Sequence, residues 1–300
     1  MAEFNPDDAN ENLRSLAQVS EQNPLKKYFR QPKVYITLPS KGRFYNPDAI
    51  DMPESQELPV FAMTARDELT MQTPDALLNG QATVDLIKSC MPNILDPWQM
   101  PSIDLDASLI AIRIATYGEQ MDLTTKEPGT GEEKTFAVDL RQLLNKLVTV
   151  EYETTINIQD MTVTIRPLTY REFTESSLKT FEEQRIFNLV NDEEIDDEEK
   201  LARFNTSFAK LTDLTVSVLS KSIHQIQIGD TVVTDQGHID EFIKNTDKEF
   251  FKEVTDHLEG QRAKFTLEPI KVTSTPEDIE KGAPENWEIP ITFDQSNFFA

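Results

Sequence analysis

The sequence predicts an α+β fold, mostly helical, with small antiparallel hairpins and a central long helical hairpin. Three observations carry that expectation. Apolar residues recur at helical spacing, as in Leu105, Leu109, Ile112 and Ala115. Short alternating runs bracket tight turns, as over 152–158 and 161–167 around Gln159-Asp160. Two long stretches of helical periodicity flank one acidic run at 192–199.

Taken in order, residues 1 to about 23 are rich in Asn, Glu, Gln, Asp and Ser, and Leu13, Leu16 and Val19 support at most a short docking helix. Val34-Tyr35-Ile36-Thr37-Leu38 reads as a strand, followed by the turn Pro39-Ser40-Lys41-Gly42-Arg43 and the pair Phe44-Tyr45. A second strand covers 58–63. Thr64 and Asp67 then form a helix start, a hydroxyl cap with an acid three residues on, and helical spacing continues through Ala82 to Cys90. Apolar residues surround the helix over 104–117 so widely that it is expected to be largely buried. A hairpin over 120–124 and 134–138 follows, and Asp139 opens a helix carrying Leu140, Leu143, Leu144 and Leu147.

After the strands at 152–158 and 161–167, Thr169 and Glu172 make a second capping box. It launches a helix with Phe173, Leu178, Phe181, Ile186 and Leu189. The partner helix carries Leu201, Phe204, Phe208, Leu211, Leu214 and Val218, so the hairpin is rich in phenylalanine. Strands at 223–228 and 231–234 follow, then a helix at 238–245 and another at 246–260 opened by Thr246 and Glu249. Phe265-Thr266-Leu267 and residues 289–293 are expected as closing strands. The expected organisation is a disordered or docking segment over 1–30, an α+β region over 31–150, a strand hairpin plus helices over 151–263, and C-terminal strands with an aromatic tail packing back over 264–300.

Composition narrows the function classes. The 300 residues (34.3 kDa) are 38% hydrophobic and 27% charged, and 53 Asp and Glu against 29 Lys and Arg give a formal charge of −24. A phosphate backbone repels such a chain, and the basic segment 25–33 is too short and interrupted to act as a nucleic-acid footprint. The single cysteine, Cys90, excludes an internal disulfide and a thiolate cluster and is expected to be a buried structural thiol. No run approaches the roughly 18 apolar residues of a membrane span, and the acidic start 1–8 lacks a secretory signal's apolar core. A cytoplasmic protein is the expectation.

Catalytic templates fail one after another. In Gly129-Thr130-Gly131-Glu132-Glu133-Lys134-Thr135, Glu133 stands where a phosphate loop needs glycine before its Lys-Thr pair, and two glutamates would repel a nucleotide. The acidic run lacks the glycine and alternating ligands of a calcium loop. His224, His238 and His257 lie in different predicted elements, so no two share a metal-binding face. No Gly-x-Ser-x-Gly elbow occurs. The sequence thus points away from an enzyme, with no cofactor and no small-molecule ligand.

Several segments carry a more specific likeness. They are Leu38-Pro39-Ser40-Lys41-Gly42-Arg43-Phe44-Tyr45, Met63-Thr64-Ala65-Arg66-Asp67-Glu68, the stretches 73–80 and 84–90, Ala111-Ile112-Arg113-Ile114-Ala115-Thr116-Tyr117-Gly118, and the C-terminal 291–299. In this order the set resembles the baseplate hub protein family of T-even-like contractile-tailed bacteriophages, over roughly 34–300. The resemblance implies a hub or tail assembly protein, either chaperone-like or a minor structural subunit. Its partners would be baseplate hub or tail structural proteins, and its places the host cytoplasm during assembly and the virion tail or baseplate.

The family pattern also implies a Cys-Pro-x-Cys-Gly knuckle after the Tyr-Gly segment and a second before the final Phe-Phe. Here Glu127 and Thr130 stand at the thiol positions around the retained Pro128 and Gly131, and 281–287 has no cysteine either. Zinc bound by four sulfurs is excluded without thiolates, so hairpins that still pair would be held by packing, with Phe136 and Trp287 as candidates. Phe298 and Phe299 are the candidate partner-binding residues, against the competing reading of a tail packed on its own domain. Two other classes are weighed. An acidic DNA-mimic inhibitor requires a regular surface array of carboxylates, and an enzyme of unrecognised type requires a deep pocket with convergent polar groups.

Overall fold

Alternation of inward and outward side chains makes Pro32–Ile36 (β1) a strand that buries Val34 and Ile36 and exposes Tyr35. It pairs antiparallel with Leu58–Phe61 (β2). The computed structural model describes residues 25, 28–71, 80–189, 197–291 and 298, in a chain that divides into units Met1–Gln31 and Pro32–Ala300. The remaining segments, which include most of the N-terminal stretch, the first part of the acidic run (192–196) and Phe299, lie outside the described residues.

Ala65–Met71 (α1) starts where the Thr64 and Asp67 pattern predicts. The Thr64 amide donates to Asp67 Oδ2 at 2.7 Å, and the Asp67 amide donates back to Thr64 Oγ1 at 3.2 Å. Gln81–Cys90 (α2) follows Gly80, whose φ of 77° favours a residue without a Cβ. Leu105–Tyr117 (α3) is the central helix of the first core, with every residue from Ala107 to Ala115 buried. Each fully buried Leu or Ile there contributes about 1.5–3 kcal/mol, and Ile110→Ala would cost about 2–5 kcal/mol.

Gln120–Lys126 (β3) and Glu133–Asp139 (β4) form the expected hairpin, with Leu123 opposite Phe136. The Asp139 carboxylate then caps Leu140–Thr149 (α4) by accepting the Arg141 and Gln142 amides. A second core forms around an antiparallel sheet of Thr155–Ile158 (β5), Met161–Ile165 (β6), Ile223–Ile228 (β7) and Thr231–Val233 (β8), in that order. Gln236–Asn245 (α7) and Lys248–Phe265 (α8) cover it, bringing Ile239, Ile243, Phe250 and Val254 onto Val163, Ile165 and Ile226. Ile270–Thr273 (β9) and Asn286–Ile289 (β10) pair antiparallel, with the short helix Pro276–Glu280 (α9) between them.

The class is therefore α+β with small antiparallel hairpins, as the sequence predicts. Several boundaries shift by a few residues, and three differences have a clear physical reason. Thr246 does not cap the last long helix; Asp247 does, by accepting the Phe250 amide at 2.8 Å. Phe265-Thr266-Leu267 is not a strand, because Phe265 is buried as the last helical residue and the Thr266 amide still bonds to Ala263. The closing strand sits at Asn286–Ile289, where Trp287 and Ile289 turn inward.

One buried carboxylate fixes the turn after β1. Asp104, fully buried, accepts the Ser40 amide at 2.7 Å, the Ser40 hydroxyl at 2.5 Å and the Tyr45 hydroxyl at 3.0 Å. Burial pushes its carboxyl up to about 6, against the pull of those three donors. Phe44 in the same turn packs edge-on against Tyr152 of the second core, at 5.5 Å.

Candidate interaction site

A two-helix arm interrupts the sheet between adjacent strands. Tyr170–Leu189 (α5) and Asp197–Ser222 (α6) connect β6 to β7, and run about 30 and 39 Å. Its base is tied where the strands end: the Arg166 amide donates to the Ser222 carbonyl at 2.8 Å. The predicted capping box starts α5, with the Thr169 amide on Glu172 Oε2 at 2.8 Å and the Glu172 amide on Thr169 Oγ1 at 3.2 Å. Arg166 grips the same carboxylate through two nitrogens at 2.9 and 2.8 Å. Burial pushes Glu172 up, but these partners more than offset it and hold its carboxyl below the ordinary value. Tyr170 stacks on Trp98 at 5.4 Å, which seats the first turn of α5 on the body.

Beyond that base the described contacts between the two helices include a polar one: Glu183 and Ser207 are buried, and Lys210 Nζ reaches Glu183 Oε1 at 3.0 Å. That hydrogen bond keeps the Glu183 carboxyl below its ordinary value. Three large apolar groups face outward, with Phe181 62%, Leu201 61% and Phe208 60% exposed. Phe208 stacks on Phe204 at 6.4 Å with rings nearly parallel.

These groups share one side of the arm. Phe181 follows the half-buried Thr180, and Phe208 follows the buried Ser207, each by one residue and so by about 100° around its helix. The Arg166–Ser222 and Glu183–Lys210 contacts make the helices antiparallel, so the same rotation carries both rings to the same side. The positions lining that side are Phe173, Ser177, Phe181 and Gln184 on α5 and Leu201, Phe204, Phe208, Leu211 and Thr215 on α6. None is charged. Glu175, Lys179, Glu182, Arg203 and Asp213 fall on other faces.

The second site is the junction where the sequence placed Glu127 and Thr130. Gly129, in the turn after β3, lies against Gly282 and Ala283, so this turn and the one after α9 touch. Glu127 is 1% exposed. It accepts Thr130 Oγ1 at 2.7 Å, Lys134 Nζ at 2.6 Å and Ser274 Oγ at 3.3 Å. Lys134 Nζ also reaches Asp278 Oδ2 at 2.5 Å, while Thr275 Oγ1 bonds the same carboxylate at 2.6 Å. Hydrogen bonds from Lys134 hold both carboxyls below their ordinary values, and those of Asp278 and Glu127 raise Lys134. Phe136 meets Trp287 edge-on at 5.8 Å, as the sequence offered. These residues do not fit a zinc ion, because an ammonium group already lies between the two carboxylates. Among the described residues, no cluster of three His, Cys, Asp or Glu is arranged to hold a metal.

Phe298 is 1% exposed and belongs to the first core, with the Arg113 guanidinium 5.7 Å from its ring. Phe299 lies outside the described residues. Arg113 is itself buried and stands over Tyr117 at 4.9 Å, and burial lowers its affinity for its proton. Two elements of these sites were missed in the sequence. The arm's phenylalanines were noted without an exposed face being assigned, although the uncharged run Phe204-Asn205-Thr206-Ser207-Phe208-Ala209 was a usable signal. The Lys134–Asp278 pair spans 144 positions and left no local trace.

An α+β body bearing an amphipathic two-helix arm is the class of protein that this architecture defines. The chain belongs to the T4 bacteriophage base plate protein family, whose model matches residues 32–279. No curated protein and no solved structure matches the chain. Membership makes this a phage baseplate-associated protein with a structural or assembly role, and other baseplate or tail proteins are its partners.

Proposed function

We propose that the protein works at the baseplate hub, binding hub or tail proteins during assembly and acting without catalysis. The family match over 32–279 carries this reading. The ordered hub-like segments from Leu38 to Tyr117 support the hub over other baseplate positions. A broad uncharged face on the arm supports a binding role, because apolar surface of this kind is stabilised when a partner removes it from water. The charge of −24 suits a factor that stays soluble in the host cytoplasm while its partners assemble.

Quantitative mass spectrometry of purified, DNA-filled particles beside an infected-cell lysate tests the role. A fixed small copy number in the particle makes the protein a hub subunit. Abundance in the lysate with absence from the particle makes it an assembly factor. Purified particles carrying it only outside the hub, or binding assays showing no hub or tail protein as partner, would refute the proposal.

A further inference from the structure

We propose that the outer edge of β8 accepts an extended segment of a partner protein as an added strand, aliphatic at alternate positions and flanked by Lys or Arg. The proposal rests on the reading that this protein works by binding other proteins, and it names the mode. β8 ends the order β5-β6-β7-β8, and among the described residues nothing pairs with its other side. Its hairpin with β7 turns on Gly229 and Asp230, with Gly229 at φ 55°. The register sets Ile228 opposite Thr231, Gln227 opposite Val232 and Ile226 opposite Val233. In a two-residue hairpin the residues flanking the turn exchange hydrogen bonds, and pairing alternates from there. Thr231 and Val233 therefore bond to β7, while the Val232 N–H and C=O point outward, where an extended backbone matches both. β8 carries none of the charges or prolines that usually guard an edge. At the opposite edge, by contrast, α8 reaches the backbone just before β5, through Gln261 and His257 at Glu153.

A slot beside that edge selects the side chains. Met161, Ile226, Ile228 and Val233 of the sheet and His238 and Phe242 of α7 line a cavity of about 240 Å³. That is below the roughly 300–1,000 Å³ of a small-molecule pocket and suits aliphatic side chains instead. Ile228 and Val232 are 44% and 49% exposed, so a strand laid here removes apolar surface from water as well as pairing backbone. Alternate residues of that strand fall on the face of Val233, next to the slot. Charge sets the flanks. Thr231-Val232-Val233-Thr234 is uncharged and lies between Asp230 and Asp235, and Asp160 tips the neighbouring turn because Met161 pairs with Ile228. No Lys or Arg occurs from 222 to 243. Two copies paired edge to edge would set these aspartates against one another, whereas Lys or Arg at the ends of a partner strand meets them with opposite charge.

The test uses the full-length protein and a capped, fluorescent peptide of alternating valine and threonine between lysine ends, with a proline-interrupted peptide as control. Fluorescence anisotropy should show saturable binding of the first peptide and none of the second, and hydrogen exchange over 231–233 should slow when the first is bound. Val232→Pro removes the outward donor without taking a bond from β7, and should weaken binding about tenfold or more. Proline is tolerated where an edge N–H faces solvent, so the variant's melting temperature should stay close to wild type and separate lost pairing from lost folding. Asp230→Lys should also weaken binding and make it less sensitive to salt. No binding of the peptide by wild type, or binding that Val232→Pro leaves intact, overturns the proposal. A dimer in sedimentation that Val232→Pro dissociates gives the edge to a second copy and overturns the partner strand. A purified hub or tail protein that binds wild type and Val232→Pro equally overturns the edge while leaving the hub role standing.

Discussion

Gly129→Ala is the sharpest probe of the junction between the two turns. The residue sits at φ 86°, and a Cβ there would stand 2.8 Å from the Gly282 carbonyl carbon and closer still to its oxygen. Both obstacles are backbone and cannot rotate away. Gly131→Ala, two residues on, supplies the control, because its φ of 71° imposes similar conformational strain with no atom within 4 Å. The left-handed conformation costs a residue with a Cβ about 1–2 kcal/mol. The clash at 129 adds about 1–3 kcal/mol as overpacking. For a domain of 150–250 residues, each kcal/mol moves Tm by about 2–4 °C. Thermal unfolding followed by circular dichroism should therefore show Gly131→Ala a few degrees below wild type and Gly129→Ala several degrees lower again. Equal melting temperatures for the two variants would refute the close approach of the turns.

Lys134→Met should destabilise the protein at pH 7 by leaving the Glu127 and Asp278 carboxylates without their shared cation. Lys134 holds both carboxyls below their ordinary values of 4.5 and 3.8, so its stabilisation is fully present above those values and is lost only as pH falls through the lower folded ones; melting curves of variant and wild type should converge only below the ordinary values, and a constant gap down to strongly acidic pH would refute this. Asp104 runs in the opposite direction, with a folded carboxyl near 6 against an ordinary 3.8, so the native state binds more protons between those values and stability falls as pH rises through them. Asp104→Asn should remove that step, worth at most about 3 kcal/mol between pH 4 and 7; parallel pH–stability curves for the two proteins would refute the assignment. Elemental analysis of purified protein should find no stoichiometric zinc, and a chelator should leave the melting temperature unchanged; one zinc per chain would refute the reading of Glu127 and Thr130.

Local chemistry was the legible part of this fold. Thr64 with Asp67, Thr169 with Glu172, and Asp139 each start a helix where the sequence places one, because a cap is satisfied by its own neighbouring amides. The same logic misplaced one start by a residue, since Asp247 follows Thr246 and its carboxylate reaches the Phe250 amide instead. Phe265 was read as strand because an aromatic next to Thr and Leu favours β structure; its burial as the last residue of α8 overrides that preference. Glu127 was legible as a departure from a knuckle, but its partner was not. Lys134 lies on the same hairpin, whereas Asp278 comes from a helix cap 144 positions away, and only the folded chain brings the two carboxylates to one ammonium.

The arm shows why helical periodicity alone does not assign function. Period 3.6 in Leu201, Phe204, Phe208 and Leu211 establishes that these residues share a face, and a shared apolar face ordinarily meets the body's own core. Here the helix's contact with its neighbour is built one position earlier, at Ser207, so the apolar stripe is turned outward. The charge pattern holds the missing information. A helix bathed in solvent on every side gains nothing from keeping one face uncharged, and in a chain of −24 such a face stands out against its surroundings. The capping box and the Arg166–Glu172 grip fix how the arm leaves the sheet, while the uncharged stripe fixes what kind of surface it accepts. A firmly seated base and an apolar outer face are features a docking element needs, which is why the arm supports the binding role proposed for this baseplate protein.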